Sequence, residues 1–192
     1  GQHLLSAVLI EQCGLQTVSF HLGEEASTID VEAASVSAEQ LAAAERRANE
    51  VVIENRTVTG GFEEASEAEG LRRASERAGP LRIVSIEGLD RSACGGTHVR
   101  ATGEIGPIFI RKLERIRGNV RLEFLCGFRA LRRARADFEA LSAVARVFSS
   151  QLDQAPALAA VQAEALQKAE KARRRIAAEL ARFQGRELYD AT

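Results

Sequence analysis

The sequence has no methionine and no tryptophan, one tyrosine and three prolines among 192 residues, and its aromatic content is 5%. So little aromatic surface argues against extensive stacking on unpaired bases, the usual device of single-strand binders. Long apolar runs are missing too. None approaches the roughly 20 residues needed to cross a bilayer, and no charged-then-apolar leader opens the chain. The chain therefore reads as soluble, intracellular and cytoplasmic. Three cysteines, odd in number and scattered, do not make a disulfide framework; they are core thiols, metal ligands or nucleophiles. Because the chain opens on Gly1 and holds no methionine, we expect it to be a piece of a longer protein.

What is present is 45% hydrophobic and 28% charged, enough for one domain with an appendage or for two small domains. The charges are segregated. Residues 1–70 carry three basic and thirteen acidic side chains, whereas residues 71–192 carry twenty-three and fourteen. A basic half beside an acidic one suits a phosphate-bearing partner, although helical proteins also carry sided charge without one.

Periodicity organises the chain. Leu4, Leu5, Val8 and Leu9 recur at helical spacing before Gly14. Val18, Phe20 and Leu22 then alternate with Thr17, Ser19 and His21, predicting a strand over 15–22 that pairs with a second strand over 28–33. Ser37 and Gln40 form a capping-box signature before a helix over 38–54. Short strands follow over 56–59 and 82–87, separated by an acidic stretch at 63–69. Segments 108–116 and 120–125 flank Gly118-Asn119 as another hairpin. The expected fold class is α+β, a mostly antiparallel sheet packed with helices, followed by an antiparallel helical hairpin. In that last part Leu131, Ala134, Phe138, Leu141, Ala145, Phe148 and Leu152 alternate by threes and fours. Leu158, Val161, Ala165, Ala169, Ala172, Ile176, Leu180 and Phe183 mark a second seam whose alanines permit close approach. We place one domain over 1–127 and the hairpin over 128–192.

The strongest chemical signal is Cys94-Gly95-Gly96-Thr97-His98. A thiolate and an imidazole four residues apart can ligate one zinc ion. The two glycines free the backbone to fold tightly and expose N–H groups that can polarise a carbonyl. A buried cysteine beside an unrelated histidine would give the same letters.

Three segments together resemble the alanyl-tRNA editing domain family, the AlaX-type freestanding editing proteins and the editing domain of alanyl-tRNA synthetase. They are residues 2–9 (QHLLSAVL), residues 17–23 (TVSFHLG), and residues 91–99 (RSACGGTHV) with 102–106 (TGEIG). The resemblance implies a zinc site in which an H-x-x-x-H pair on a helix joins the C-x-x-x-H pair. His3 is then the second histidine of its pair, with Cys94 and His98, and the first lies four residues upstream of His3. It also implies zinc-dependent hydrolysis of mischarged Ser-tRNA(Ala), and of Gly-tRNA(Ala) in some cases, by an aminoacyl-tRNA deacylase acting in trans on its partner tRNA(Ala). The hairpin would lead to a further C-terminal domain. Such an activity corrects errors that amino-acid binding alone cannot reject. The implied catalytic and metal residues are His3, Cys94 and His98. Thr17, Ser19 and His21, turned to one side of their strand, together with Gly95 and Gly96, are expected to contact substrate. Arg91 and Glu104 flank the metal motif and either touch substrate or pair with each other. Arg129, Arg132, Arg133 and Arg135, with Lys168, Lys171 and Arg173 to Arg175, offer a rail for tRNA phosphates or an ordinary solvated surface. The competing readings are an editing segment of a complete alanyl-tRNA synthetase, the related threonyl-tRNA synthetase editing domain, and a non-catalytic zinc- or tRNA-binding module.

Overall fold

A computed structural model describes residues 1–74 and 78–190. In chain order the elements are α1 (Gln2–Cys13), β1 (Thr17–Leu22), β2 (Ser27–Val31), α2 (Ala38–Glu54), β3 (Val58–Glu64), β4 (Pro80–Ile86) and β5 (Asp90–Ala93). A single 3-10 turn (Thr102–Ile105), β6 (Ile108–Ile116), β7 (Asn119–Cys126), α3 (Phe128–Val147) and α4 (Ala155–Asp190) complete the chain. The fold is α+β, with a C-terminal helical hairpin. Two compact units divide it, Gly1–Ala134 and Arg135–Thr192.

All named strand pairs are antiparallel, but they make two sheets rather than one, in the orders β1-β2-β7-β6 and β3-β4-β5. α1 explains how they share a core. Residues 4–9 are buried without interruption, all but Ser6 of them apolar, so this part of the helix is enclosed rather than laid on a surface. Its Leu4, Leu5, Val8 and Leu9 pack in one cluster with Ile29 and Val31 of β2, Ala48 and Val51 of α2, Ile86 of β4 and Leu122 of β7. α2 begins at the expected place: Ser37 accepts from the Gln40 N–H, and the Gln40 side chain accepts from the Ser37 N–H.

Two boundaries moved for physical reasons. The third strand runs to Glu64, into the acidic stretch. β3 is the edge of its sheet, so charged side chains there face water and also discourage pairing with another chain. β5 was not anticipated, because four residues are too few for an alternation to register. The TGEIG segment is structural. Buried Thr102 donates to the Val51 carbonyl and accepts from the Arg56 N–H. Gly106 has φ 69° and lets the backbone of Gly127 approach so closely that a Cβ there would stand 2.8 Å from the Gly127 Cα.

In the second unit α3 ends at Val147, and α4 extends the expected second helix to Asp190. Ala145 and Ala155 are buried beside the turn, but the expected close seam does not extend along the helices: Phe138 is 51% exposed, Val161 63% and Ile176 59%. The spacings account for this. The α3 positions step by 3,4, a period that favours left-handed coiling, whereas those of α4 step by 3,4,4, which favours the opposite hand. Two such stripes drift apart within a few turns.

Candidate metal centre

His3 lies in the first turn of α1, and Cys94 and His98 lie at the two ends of the glycine turn that follows β5. One ligand atom from each of the three lies within 4.8 Å of the others. The His3 and His98 rings are 5.1 Å apart between centroids. Burial first, then neighbouring charge including that of Arg82, pushes the His98 imidazole below its ordinary pKa against a backbone hydrogen bond at Gly96, which favours the neutral ring that can ligate a metal. Among the described residues its buried Nδ1 has no hydrogen-bond partner. An orphaned ring nitrogen beside a thiol and a second imidazole fits a tetrahedral zinc ion, whose bonds to such donors are about 2.0–2.3 Å.

The glycine turn is held from β4. Arg82 Nη1 donates to the carbonyls of Cys94 (2.8 Å) and Gly96 (2.7 Å), while the Cys94 N–H donates to the Arg82 carbonyl. The guanidinium passes over Gly60, where a Cβ would stand 3.2 Å from Arg82 Nη2. A second network supports His3. Asp90 Oδ1 accepts from Arg72 Nε (2.8 Å), its Oδ2 accepts from Ser92 Oγ (2.8 Å), and His3 Nδ1 is 3.4 Å from the same Oδ2. Burial opposes ionisation of Asp90, but hydrogen bonds from His3 and Ser92 and the charge and hydrogen bond of Arg72 outweigh it, leaving the carboxyl below its ordinary pKa. Neither Arg82, Arg72 nor Asp90 was singled out from the sequence, since each sits on a strand or loop with no motif of its own.

Beside these three side chains opens a cleft of about 910 Å³ whose lining includes His3, Thr17, Ser19, Phe20, Cys94 and Gly95. Gly96 stands beside the Cys94 thiol and the His98 ring. The hydroxyl face expected on β1 is corrected. Val18 is bulged out of the ladder, so Thr17 pairs with Val31 while Ser19 pairs with Asp30, its neighbour on the other face of the sheet. One extra residue resets the alternation, and Thr17 and Ser19 therefore point to opposite sides. Thr17 Oγ1 donates to buried Ser6 of α1 (2.9 Å); Ser19 Oγ donates to Asp30 (2.6 Å), which is also held by Arg121 at 2.6 and 2.8 Å. His21 continues the Ser19 face; Ser19 lines the cleft, whereas His21 does not. Arg91 and Glu104 do not pair: Arg91 binds Glu63, and Glu104 accepts from the Arg100 N–H. Arg129 of the basic run is engaged with the carbonyls of Gly23 and Glu24.

Residues 81–123 match the family described as the threonyl and alanyl tRNA synthetase second additional domain. The chain is 36% identical over 138 residues to the alanyl-tRNA editing protein Aarsd1 of Bos taurus and to that of Mus musculus. The match covers 69% of this chain and 31% and 34% of those proteins. The chain belongs to the alanyl-tRNA editing domain family. It is also 35% identical over 159 residues to the alanine–tRNA ligase of Pyrococcus furiosus, covering 77% of this chain and 17% of the ligase. The chain thus spans about a third of the length of the editing proteins it matches. Among the described residues no helix of this family member is long and apolar enough to cross a membrane.

Proposed function

We propose that this protein is a zinc-dependent deacylase of mischarged alanine tRNA that removes serine, and in some cases glycine, from Ser-tRNA(Ala) and Gly-tRNA(Ala). The observation that carries the reading is the convergence of His3, Cys94 and His98 at the edge of a solvent-open cleft in a member of an editing family. His3, Cys94 and His98 would hold the ion, with the further histidine expected upstream of His3. Zinc so held supplies Lewis acidity and orientation for the ester.

The chemistry is ester hydrolysis. Water adds to the aminoacyl carbonyl carbon, the bond to the ribose oxygen breaks, and a proton passes to that oxygen. The N–H groups at Gly95 and Gly96 supply polar backbone beside the reacting carbonyl, and Arg82 fixes the turn that carries them. Cys94 serves as a thiolate ligand rather than an acyl acceptor. On this reading Thr17 discriminates: its hydroxyl donates to Ser6 and keeps lone pairs able to accept from the serine hydroxyl, which alanine lacks. Residues 1–127 form the editing domain. The hairpin at 128–192 adds basic side chains that meet tRNA phosphates, with tRNA(Ala) as partner and the cytoplasm as the compartment.

The similarity over 159 residues to a complete ligase favours a second reading, in which the chain is the editing segment of an alanyl-tRNA synthetase. Sequence upstream of Gly1 separates the two, because a synthetase carries its aminoacylation domain there. The test of function is deacylation of Ser-tRNA(Ala) and Ala-tRNA(Ala) by the full-length protein, with and without a chelator. Cys94→Ala and His98→Ala should each lower the Ser-tRNA(Ala) rate by about 100-fold or more. An unchanged rate in either variant removes the proposal. Thr17→Val should slow Ser-tRNA(Ala) deacylation while leaving that of Ala-tRNA(Ala) as it was.

A further inference from the structure

We propose that Asp90 is the positioning residue of the metal centre: it accepts the Nδ1 proton of His3, keeps Nε2 as the ligand atom, and is itself fixed by Arg72 and Ser92. The inference rests on the zinc reading above and names a residue outside the ligand set.

Asp90 sits where an apolar residue would be expected. Its side chain is 1% exposed, at the start of β5, opposite the buried Ile86 of β4. A valine or isoleucine would fill that position and extend the apolar core. A carboxylate there loses most of its hydration and persists only where partners replace it. Three do so: Arg72 Nε at Oδ1, Ser92 Oγ at Oδ2, and the His3 ring nitrogen 3.4 Å from Oδ2. Strand alternation puts Asp90 and Ser92 on one face of β5, the face shared with Val84 and Ile86.

Two groups face His3 Nδ1, the Asp90 carboxylate at 3.4 Å and Arg72 Nη2 at 3.5 Å, and the tautomer of the ring decides which of them it bonds. Arg72 Nη2 lies 3.1 Å from Ser92 Oγ and 3.5 Å from His3 Nδ1. Arg72 is already committed to Asp90 Oδ1 through Nε and to Ser92 Oγ through Nη2, so His3 is assigned the tautomer whose Nδ1 proton faces the carboxylate. With Nδ1 protonated, the lone pair of the neutral ring is on Nε2, the nitrogen left for an ion shared with Cys94 and His98. Metal-ligating histidines commonly need such an outer carboxylate to fix tautomer and ring angle, and losing it weakens metal affinity by about 10- to 100-fold. Arg72 also donates its backbone N–H to the Arg91 carbonyl (2.8 Å), so the segment before β4 is tied to β5 at the residue that braces the histidine.

A purely structural role for Asp90, as the buried partner of Arg72, makes a different forecast, and a double-mutant cycle separates them. Zinc affinity is measured on the full-length protein by competition with a chromophoric chelator, for wild type, Asp90→Asn, His3→Ala and the double variant. The stability of each metal-free protein is recorded alongside. Asp90→Asn is expected to weaken zinc binding 10- to 100-fold when His3 is present and less than about twofold when it is absent. Equal weakening in both backgrounds, or none in either, overturns the proposal. Nitrogen NMR of the zinc-loaded wild type gives a second readout: His3 should carry its proton on Nδ1, and a proton on Nε2 overturns the proposal even if Asp90→Asn fails to fold. A wild type that binds no zinc refutes the metal reading and this inference together, whereas a zinc-loaded, active wild type with no Asp90–His3 coupling refutes this inference alone.

Discussion

At the scale of single residues, the site depends on a few side chains whose surroundings decide what they can do. Burial, ahead of nearby positive charge, lowers the His98 pKa and favours its neutral ring, and its Nδ1, unpartnered among the described residues, suits it to be a ligand. The Asp30–Arg121 pair gives a pH prediction from the same reasoning. The Arg121 hydrogen bond, first among the causes, holds the Asp30 carboxyl at about 2, against an ordinary value of 3.8. A folded-state value below the unfolded one means that the unfolded chain takes up this proton first as pH falls. The pair therefore stabilises the fold fully above about pH 4, and its contribution fades as the pH approaches 2. Denaturant unfolding between pH 2 and 6 should show this slope in the wild type and a flatter one in Arg121→Met. Core residues carry larger effects: Leu5 is fully buried in α1, and Leu5→Ala should cost roughly 2–5 kcal/mol in the same assay.

The three residues that converge at the candidate centre were legible in the sequence, since C-x-x-x-H is a local pattern and His3 came with the family resemblance. Asp90, Arg72 and Arg82 were not. Their importance comes from contacts across 87, 18 and 12 residues of chain, which no local spacing reports.

At the scale of elements, the sequence reads best where one principle acts alone. Ser37 and Gln40 start α2 as the capping box requires, and Ser37→Ala should cost about 1 kcal/mol, measurable by thermal unfolding. β1 reads less well. Its letters alternate cleanly from Thr17 to Leu22, but the ladder contains a bulge at Val18, and a bulge is set by the partner strand rather than by the strand's own pattern. That single insertion separates Thr17 from Ser19 and leaves Thr17 alone against Ser6. α1 shows the reverse error. Its leucines suggest one apolar stripe, whereas the helix is enclosed, because the two sheets and α2 supply more core than one sheet would. The hairpin seams differ in period, a distinction visible in the residue numbers once the 3,4 and 3,4,4 steps are compared.

At the scale of the whole molecule, charge and family membership point the same way. The excess of basic side chains after residue 70 gives a phosphate-bearing partner an electrostatic reason to approach the second half of the chain. If the cations of α4 meet tRNA phosphates, replacing Lys168, Lys171 and Arg173 by glutamine should reduce the slope of log affinity against log salt by about two to three, as followed by filter binding. An unchanged slope would assign those residues to an ordinary solvated helix surface.

The most direct test of the central claim is zinc-edge X-ray absorption on the zinc-loaded full-length protein. The expected spectrum has one sulfur at about 2.3 Å and nitrogen neighbours at about 2.0–2.1 Å, with the sulfur lost in Cys94→Ser. A shell with no sulfur in the wild type, or one that keeps its sulfur after Cys94→Ser, would contradict the assignment of His3, Cys94 and His98 as the metal centre.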